Sequence, residues 1–183
     1  MSKRRLEAEA VRDALLFVAG RLAGERPVGS TVARVGEGLA FFVRLEGVDA
    51  TDTRRSVYLP VVRDRVLESL ALFDFADPSL VISERATTTG PAQALYFLNG
   101  PFVIQQAAAL AERVCAAGSD QTECVDRAYR IAFQRPPTAS ERTRSLAFVR
   151  KFAAHEGESD SPRASFSALC QALLAGAEFR YRD

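Results

Sequence analysis

Arg85-Ala86-Thr87-Thr88-Thr89-Gly90-Pro91-Ala92-Gln93-Ala94-Leu95-Tyr96-Phe97-Leu98-Asn99-Gly100-Pro101-Phe102-Val103 reads as two helices meeting at a corner. Pro91 suits the first position of a helix, where its missing N–H costs nothing. Gly90 then falls at the cap, behind three threonines. Ala94, Leu95 and Leu98 follow at helical spacing. Asn99-Gly100 stops that helix, because both residues tolerate the left-handed conformation of a helix end. Pro101 opens a second helix whose apolar line is Val103, Ala107, Leu110, Ala111 and Val114.

A chemical use is open to this corner. The amides of Ala92 and Gln93 have no intrahelical partner, and the helix dipole adds about half a positive charge there. Arg85 and the hydroxyls of Thr87, Thr88 and Thr89 lie close in sequence, so a sulfate, phosphate or carboxylate fits. The anion-binding candidates are Arg85, Thr88, Thr89 and Gln93, with Arg54 and Arg55 as guanidiniums able to grip such groups bidentately. The competing reading is plainer. The threonines cap the helix, Arg85 pairs with an acidic side chain, and Arg54-Arg55 is a surface pair.

Upstream, residues 4–23 predict an amphipathic helix with Val11, Ala14, Leu15, Val18 and Leu22 on one face and Gly24 as its stop. Residues 25–38 form a glycine-rich loop, long for a compact domain. Residues 39–45 and 56–62 are the strand candidates of a small hairpin, with Pro60 confining the second to an edge. Asp64 caps a helix through about Phe73, with Val66, Leu67, Leu70 and Phe73 inward. Asp77-Pro78 marks a turn.

Downstream the pattern is all helix. Asp120-Gln121-Thr122-Glu123 and Thr138-Ala139-Ser140-Glu141 are capping boxes, and Arg135-Pro136-Pro137 breaks the chain between them. Val125, Ala128, Ile131 and Ala132 line one helix; Leu146, Val149, Phe152 and Ala153 line the next. Residues 157–162 are a polar linker. Phe166, Leu169, Cys170, Leu173 and Ala177 define the last helix, with Phe179 and Tyr181 able to pack its tail back on the body. The fold class is therefore mainly α, an array of about six to seven helices with one small β-hairpin. It forms a single domain over residues 1–183, with helix plus hairpin in 1–62 and helices in 63–183.

Composition narrows the chemistry. A chain of 183 residues suits one domain. The net charge of +1, from 22 arginines and two lysines against 23 acids, argues against nucleic-acid binding or an anionic membrane. No apolar run approaches the ~20 residues of a membrane helix, and the charged N-terminus is no signal peptide. The single histidine, His155, removes most general-base and zinc chemistry and reads as a solvated helix end. No metal ligand set, no cofactor and no catalytic residue is assigned. Cys115, Cys124 and Cys170 contain no C-x-x-C. Cys115 and Cys124 flank a helix–helix connection, so an antiparallel pair would bring them into reach of a disulfide. The alternative is three small buried thiols.

A series of motifs now resembles one family. It runs through Arg54-Arg55-Ser56-Val57-Tyr58, Phe73-Asp74, Arg85, Thr89-x-Pro91-x-Gln93-Ala94-Leu95, Leu98-Asn99 and Phe102-Val103. It continues through Ala128-Tyr129-Arg130, Arg135-Pro136-Pro137-Thr138-x-x-Glu141, Cys170-Gln171-Ala172-Leu173, Glu178-Phe179 and Tyr181. The chain resembles the C-terminal domain of unknown function in large exported proteins of planctomycetes and related bacteria, which commonly carry a planctomycete-type cytochrome c module. The resemblance implies an exported or periplasmic setting and brings no catalytic residues. C-x-x-C-H is absent, so no haem is implied here. It also implies that this chain corresponds to the latter half to two-thirds of that domain. An apolar face would then be left for self-association or a protein partner.

Two functions follow. The first is a non-catalytic helical scaffold or interaction module of a larger protein. The second is part of an enzyme or binding protein acting on an anionic glycan, sulfated or uronic, with Asp74 and Asp77 as acid and base. Arg55, Arg85 and the Thr88–Gln93 helix start converging on one concave surface would favour the second; engagement in salt bridges would favour the first.

Overall fold

A computed structural model of the chain describes residues 4–29, 52–61, 66–115, 120–156 and 162–182. Strand β1 (Arg4–Arg5) precedes α1 (Ala8–Val18), and a 3-10 turn lies at Ser56–Tyr58. Then come α2 (Glu68–Leu72), α3 (Pro91–Asn99), α4 (Pro101–Val114), α5 (Gln121–Phe133), α6 (Ala139–Glu156), α7 (Pro162–Ala175), α8 (Ala177–Arg180) and β2 (Tyr181–Arg182). The molecule is mainly helical with one two-stranded antiparallel sheet among the described residues, as the fold-class reading expects.

The sheet is not the expected hairpin. It joins the two ends of the chain, pairing Arg4 with Arg182 and Arg5 with Tyr181. Within the 56–62 strand candidate, Ser56–Tyr58 form the 3-10 turn instead. Side chains explain the difference. The Asp13 carboxylate accepts both the amide and the hydroxyl of Ser56 at 2.7 Å, and Arg12 donates to the Arg54 carbonyl at 2.9 Å. Those bonds occupy backbone groups that a ladder would otherwise use. The 39–45 strand, most of the 25–38 loop, the 157–161 linker and the side chain of His155 lie outside the described residues.

Helix α1 is shorter than its apolar pattern. Residues 4–5 are taken by β1, and the stop is Gly20 rather than Gly24. Gly20 sits at φ 72°, a left-handed conformation that suits glycine. Arg113 of α4 donates to the carbonyls of Phe17 and Val18 at 3.1 and 2.9 Å, satisfying the end of α1 with a cation.

The corner between α3 and α4 forms as expected, but by another device. Gly100 has φ −64° and serves as C-cap of α3 and N-cap of α4. Glycine is needed there for room, because a Cβ would sit 2.5 Å from the Tyr96 carbonyl oxygen. Val103, Ala107, Leu110, Ala111 and Val114 are all buried, and α4 lies lengthwise against α7 at the centre of the core. Helix α3 turns the opposite way from its pattern. Gln93 and Phe97 go inward, while Leu95 and Leu98 are each 55% exposed. The Gln93 amide explains the choice, donating to the carbonyls of Leu72 at 3.0 Å and Thr88 at 3.2 Å. Phe97 packs edge-on against Phe73 and Tyr96.

Both expected helix caps form, and the one at Thr138 closes into a full box. Asp120 accepts the Glu123 amide at 2.7 Å. At Thr138 the exchange is reciprocal, with the Glu141 amide donating to Thr138 Oγ1 at 3.3 Å and Glu141 Oε2 accepting the Thr138 amide at 2.7 Å. Gln134, at φ 57°, ends α5. Arg135 then grips Glu141 at 2.8 Å and Glu178 at 2.6 Å, tying the α5–α6 turn to α8.

The Arg135 hydrogen bond, followed by the Thr138 amide, holds the Glu141 carboxyl down at about 2 against an ordinary 4.5. A depressed carboxyl stabilises the fold fully above its unfolded pKa and loses that contribution as pH falls towards its folded one. The urea midpoint should therefore drop between about pH 4.5 and pH 2. Glu141→Gln should be less stable at neutral pH and lose less across that window; a variant with the wild-type acid slope would remove Glu141 as the cause.

Candidate functional site

Of the residues singled out for anion binding, Arg85 and Thr88 lie beside the start of α1, where the Phe73-Asp74 turn and the segment before α3 meet. Asp74 is the hub. It has φ 63°, an uncommon conformation that aspartate tolerates better than most residues. From there its carboxylate accepts Arg5 Nη2 at 2.5 Å, the Thr88 amide at 2.8 Å and the Thr88 hydroxyl at 2.8 Å. Arg5 is buried, lies over the Phe73 ring and also donates to the Phe73 carbonyl at 3.4 Å. A carboxylate thus sits beside the threonine run, and it belongs to the chain itself.

The remaining candidates are engaged in the same manner. Arg85 donates to Glu9 at 2.8 Å, lies 3.7 Å from Glu7 and covers the Phe75 ring. The Glu9 hydrogen bond raises its pKa, so its charge is firmly held. Arg54 grips Asp52 with two nitrogens, and that side-chain bond holds the Asp52 carboxyl below its ordinary value against partial burial. Arg55, largely exposed, reaches Asp13 at 3.5 Å. Thr89 Oγ1 meets the Tyr181 hydroxyl at 3.5 Å. Gln93 is spent on two carbonyls, and its backbone amide bonds the Gly90 carbonyl at 3.2 Å. Asp77, the other carboxylate considered for acid–base work, accepts the Ser79 amide at 2.8 Å in a turn. These are structural ion pairs and caps.

Two depressions flank the Arg4-Arg5-Leu6-Glu7 segment. One, of about 250 Å³, is bordered by Asp74, Glu84, Arg85 and Thr87. The other, of about 400 Å³, is bordered by Glu9, Asp13, Arg55 and Arg182. Arg55 and Arg85 thus face different depressions, each of mixed charge, and Thr88, Thr89 and Gln93 border neither.

Sequence reasoning passed over two residues. Arg12 is 1% exposed, crosses from α1 over the Phe102 ring, and donates to the carbonyls of Asp52 and Arg54 and to Ser56 Oγ. Arg5 is the second. Both sit among alternating charges that predict a solvated face. The one available signal for Arg12 is its place beside Val11 and Leu15 on the apolar side of α1. Among the described residues no group of three or more His, Cys, Asp or Glu side chains is arranged to hold a metal, and no helix is long and apolar enough to cross a membrane.

Comparison with known proteins returns no similar curated protein and no similar solved structure. One family does match, across residues 1–149, from β1 to the middle of α6. The chain belongs to that family, PSD1, described as a protein of unknown function (DUF1553).

Proposed function

We propose that this chain is a non-catalytic helical interaction module within a larger bacterial protein. The observation that carries this reading is the internal engagement of Arg54, Arg55, Arg85, Thr88 and Gln93, each bonded to an acid or carbonyl of the same chain. A ligand anion would first have to displace Asp52, Asp13, Glu9 or Asp74, and an exchange of one carboxylate for another gains little.

Its contacts would be apolar. Leu80, Val81 and Ile82 form an exposed run, and Leu95 and Leu98 share the outer face of α3. A second copy, or a chain completing the larger domain that the sequence resemblance implies, would cover such residues. The exported setting and the neighbouring cytochrome c module belong to this same proposal, and no haem contact is assigned to these residues. Sedimentation across micromolar concentrations should show self-association or recovery of a complementary chain. A strictly monomeric protein that binds no hydrophobic dye would overturn this part.

A thermal-shift screen with sulfate, phosphate and a sulfated glycan tests the choice between module and glycan binder. Ligands that bind only the native state raise its melting temperature by mass action. The expected result is no saturable shift with any of the three. A saturable rise with the glycan alone, abolished by Arg55→Ala, would favour the anionic-glycan reading.

A further inference from the structure

Helix α6 packs on α7 and α5, with Ser145 and Val149 buried on its inner side. At about 100° per residue, the opposite side is centred on Ala147 and Ala154, two turns apart and both exposed. Cations border that strip, with Arg150 on one flank and Arg144 and Lys151 on the other, all exposed. Among the described residues none of the three meets an acid, whereas Arg142, nearer the core, is held by Asp126 at 2.8 Å. Beside Arg144, Phe148 is 39% exposed and leans on Phe152, with ring centroids 5.9 Å apart. From residue 142 to residue 155 the sequence has no Asp or Glu, in a chain whose acids and bases otherwise nearly balance. We propose that this outer face of α6 docks an acidic amphipathic helix of a partner protein, with Phe148 as its apolar anchor.

Shape and charge select that occupant together. Alanines at the centre of the face let a second helix lie close, so its flanks come to rest over Arg150 on one side and over Arg144 and Lys151 on the other. Acidic side chains on those flanks meet the cations, as charged flanking positions do along a coiled coil. Phe148 gives the contact an apolar component that isolated surface charges lack. A second copy of the chain does not fit this face, because three cations would oppose three. A membrane surface asks for a broad apolar face, and here the middle of the face is alanine. Three cations on one helix neutralise few phosphates, and the whole chain carries a net charge of only +1, so nucleic acid is disfavoured too. The docking face rests on the interaction-module reading and adds an acidic partner to the apolar self-contacts proposed above.

A labelled synthetic helix with leucine along one face and glutamate on both flanks, titrated with the intact chain, tests the assignment by fluorescence anisotropy. The expected result is saturable binding that weakens as salt rises. The triple variant Arg144→Glu/Arg150→Glu/Lys151→Glu should weaken it by about tenfold or more. Its melting temperature should change little, because all three side chains are exposed. A lysine-flanked version of the same helix should prefer the triple variant to the wild type, an inversion that loss of structure could not produce. Phe148→Ala should weaken the glutamate-flanked helix by roughly fivefold. No saturable binding, equal affinity for wild type and triple variant, or no preference between the two synthetic helices would each overturn the docking face. So would tighter binding to phosphatidylserine vesicles or to duplex DNA than to the glutamate-flanked helix. Sedimentation reads the self-contacts independently, so a failed titration beside intact self-association would remove this face alone.

Discussion

Arg12→Ala is expected to destabilise the protein by about 3 kcal/mol, seen as a lower urea midpoint at unchanged slope. The guanidinium is 1% exposed and holds three groups at once: the carbonyls of Asp52 and Arg54 and the hydroxyl of Ser56. Hydrogen bonds from a charged donor contribute about 1.5–3 kcal/mol each when counted singly, and a shared donor gives less than their sum. Truncation also removes the guanidinium stacked over the Phe102 ring, its carbon 5.7 Å from the ring centroid, and leaves the side chain's buried volume unfilled. Arg12→Met separates the two contributions, since it restores the packing and none of the bonds. It should recover about 1 kcal/mol of the loss and leave the Ser56 and Tyr58 amides exchanging faster than in the wild type. Wild-type stability in Arg12→Met would show that the tether contributes nothing net, as some buried charges do.

The second large effect is expected at Asp74. Asp74→Ala leaves Arg5 a cation whose side chain is 6% exposed and whose carboxylate partner is gone, a change that costs about 3 kcal/mol or more. The same variant removes the acceptor of the Thr88 amide and hydroxyl, so the segment before α3 should become more accessible to protease. Asp74→Asn keeps the tolerance for φ 63° and one oxygen acceptor, and should lose roughly half as much. A double-mutant cycle with Arg5→Ala should return a coupling of about 1–3 kcal/mol. Additive losses would show that the ion pair is incidental and that the backbone conformation is what matters.

The parts of the fold legible in the sequence are those decided within a few residues. Pro91 and Pro101 fix the corner through their own backbones, and Gly100 through the room it leaves for the Tyr96 carbonyl four residues earlier. The buried line of α4 follows from spacing alone, and Asp120 and Thr138 announce their helices three residues ahead. The parts that were not legible depend on distant partners. The inward face of α3 is set by the Leu72 and Thr88 carbonyls that receive Gln93, so the more apolar Leu95 and Leu98 end outside. The sheet pairs residues at opposite ends of the chain, which no local pattern encodes. Ser56 carries a strand-like neighbourhood, yet Asp13 claims its amide.

The candidate site divides along the same line. Arginines and threonines near a helix start mark a place suited to negative charge, and that much is visible in the residues. Which negative group sits beside them is a long-range matter: Asp74 arrives from a turn fourteen residues earlier, and Glu9 from α1. Arg5 and Arg12 were the hardest to see, because a buried arginine and a solvated one look alike until their acceptors are in place.

The pairing of β1 with β2 also governs how the molecule would yield to tension. Arg4 lies opposite Arg182, so the chain enters and leaves at the same end of an antiparallel ladder. A pull applied there would load the rungs one at a time and peel them open like a zipper, long before the helices felt any strain.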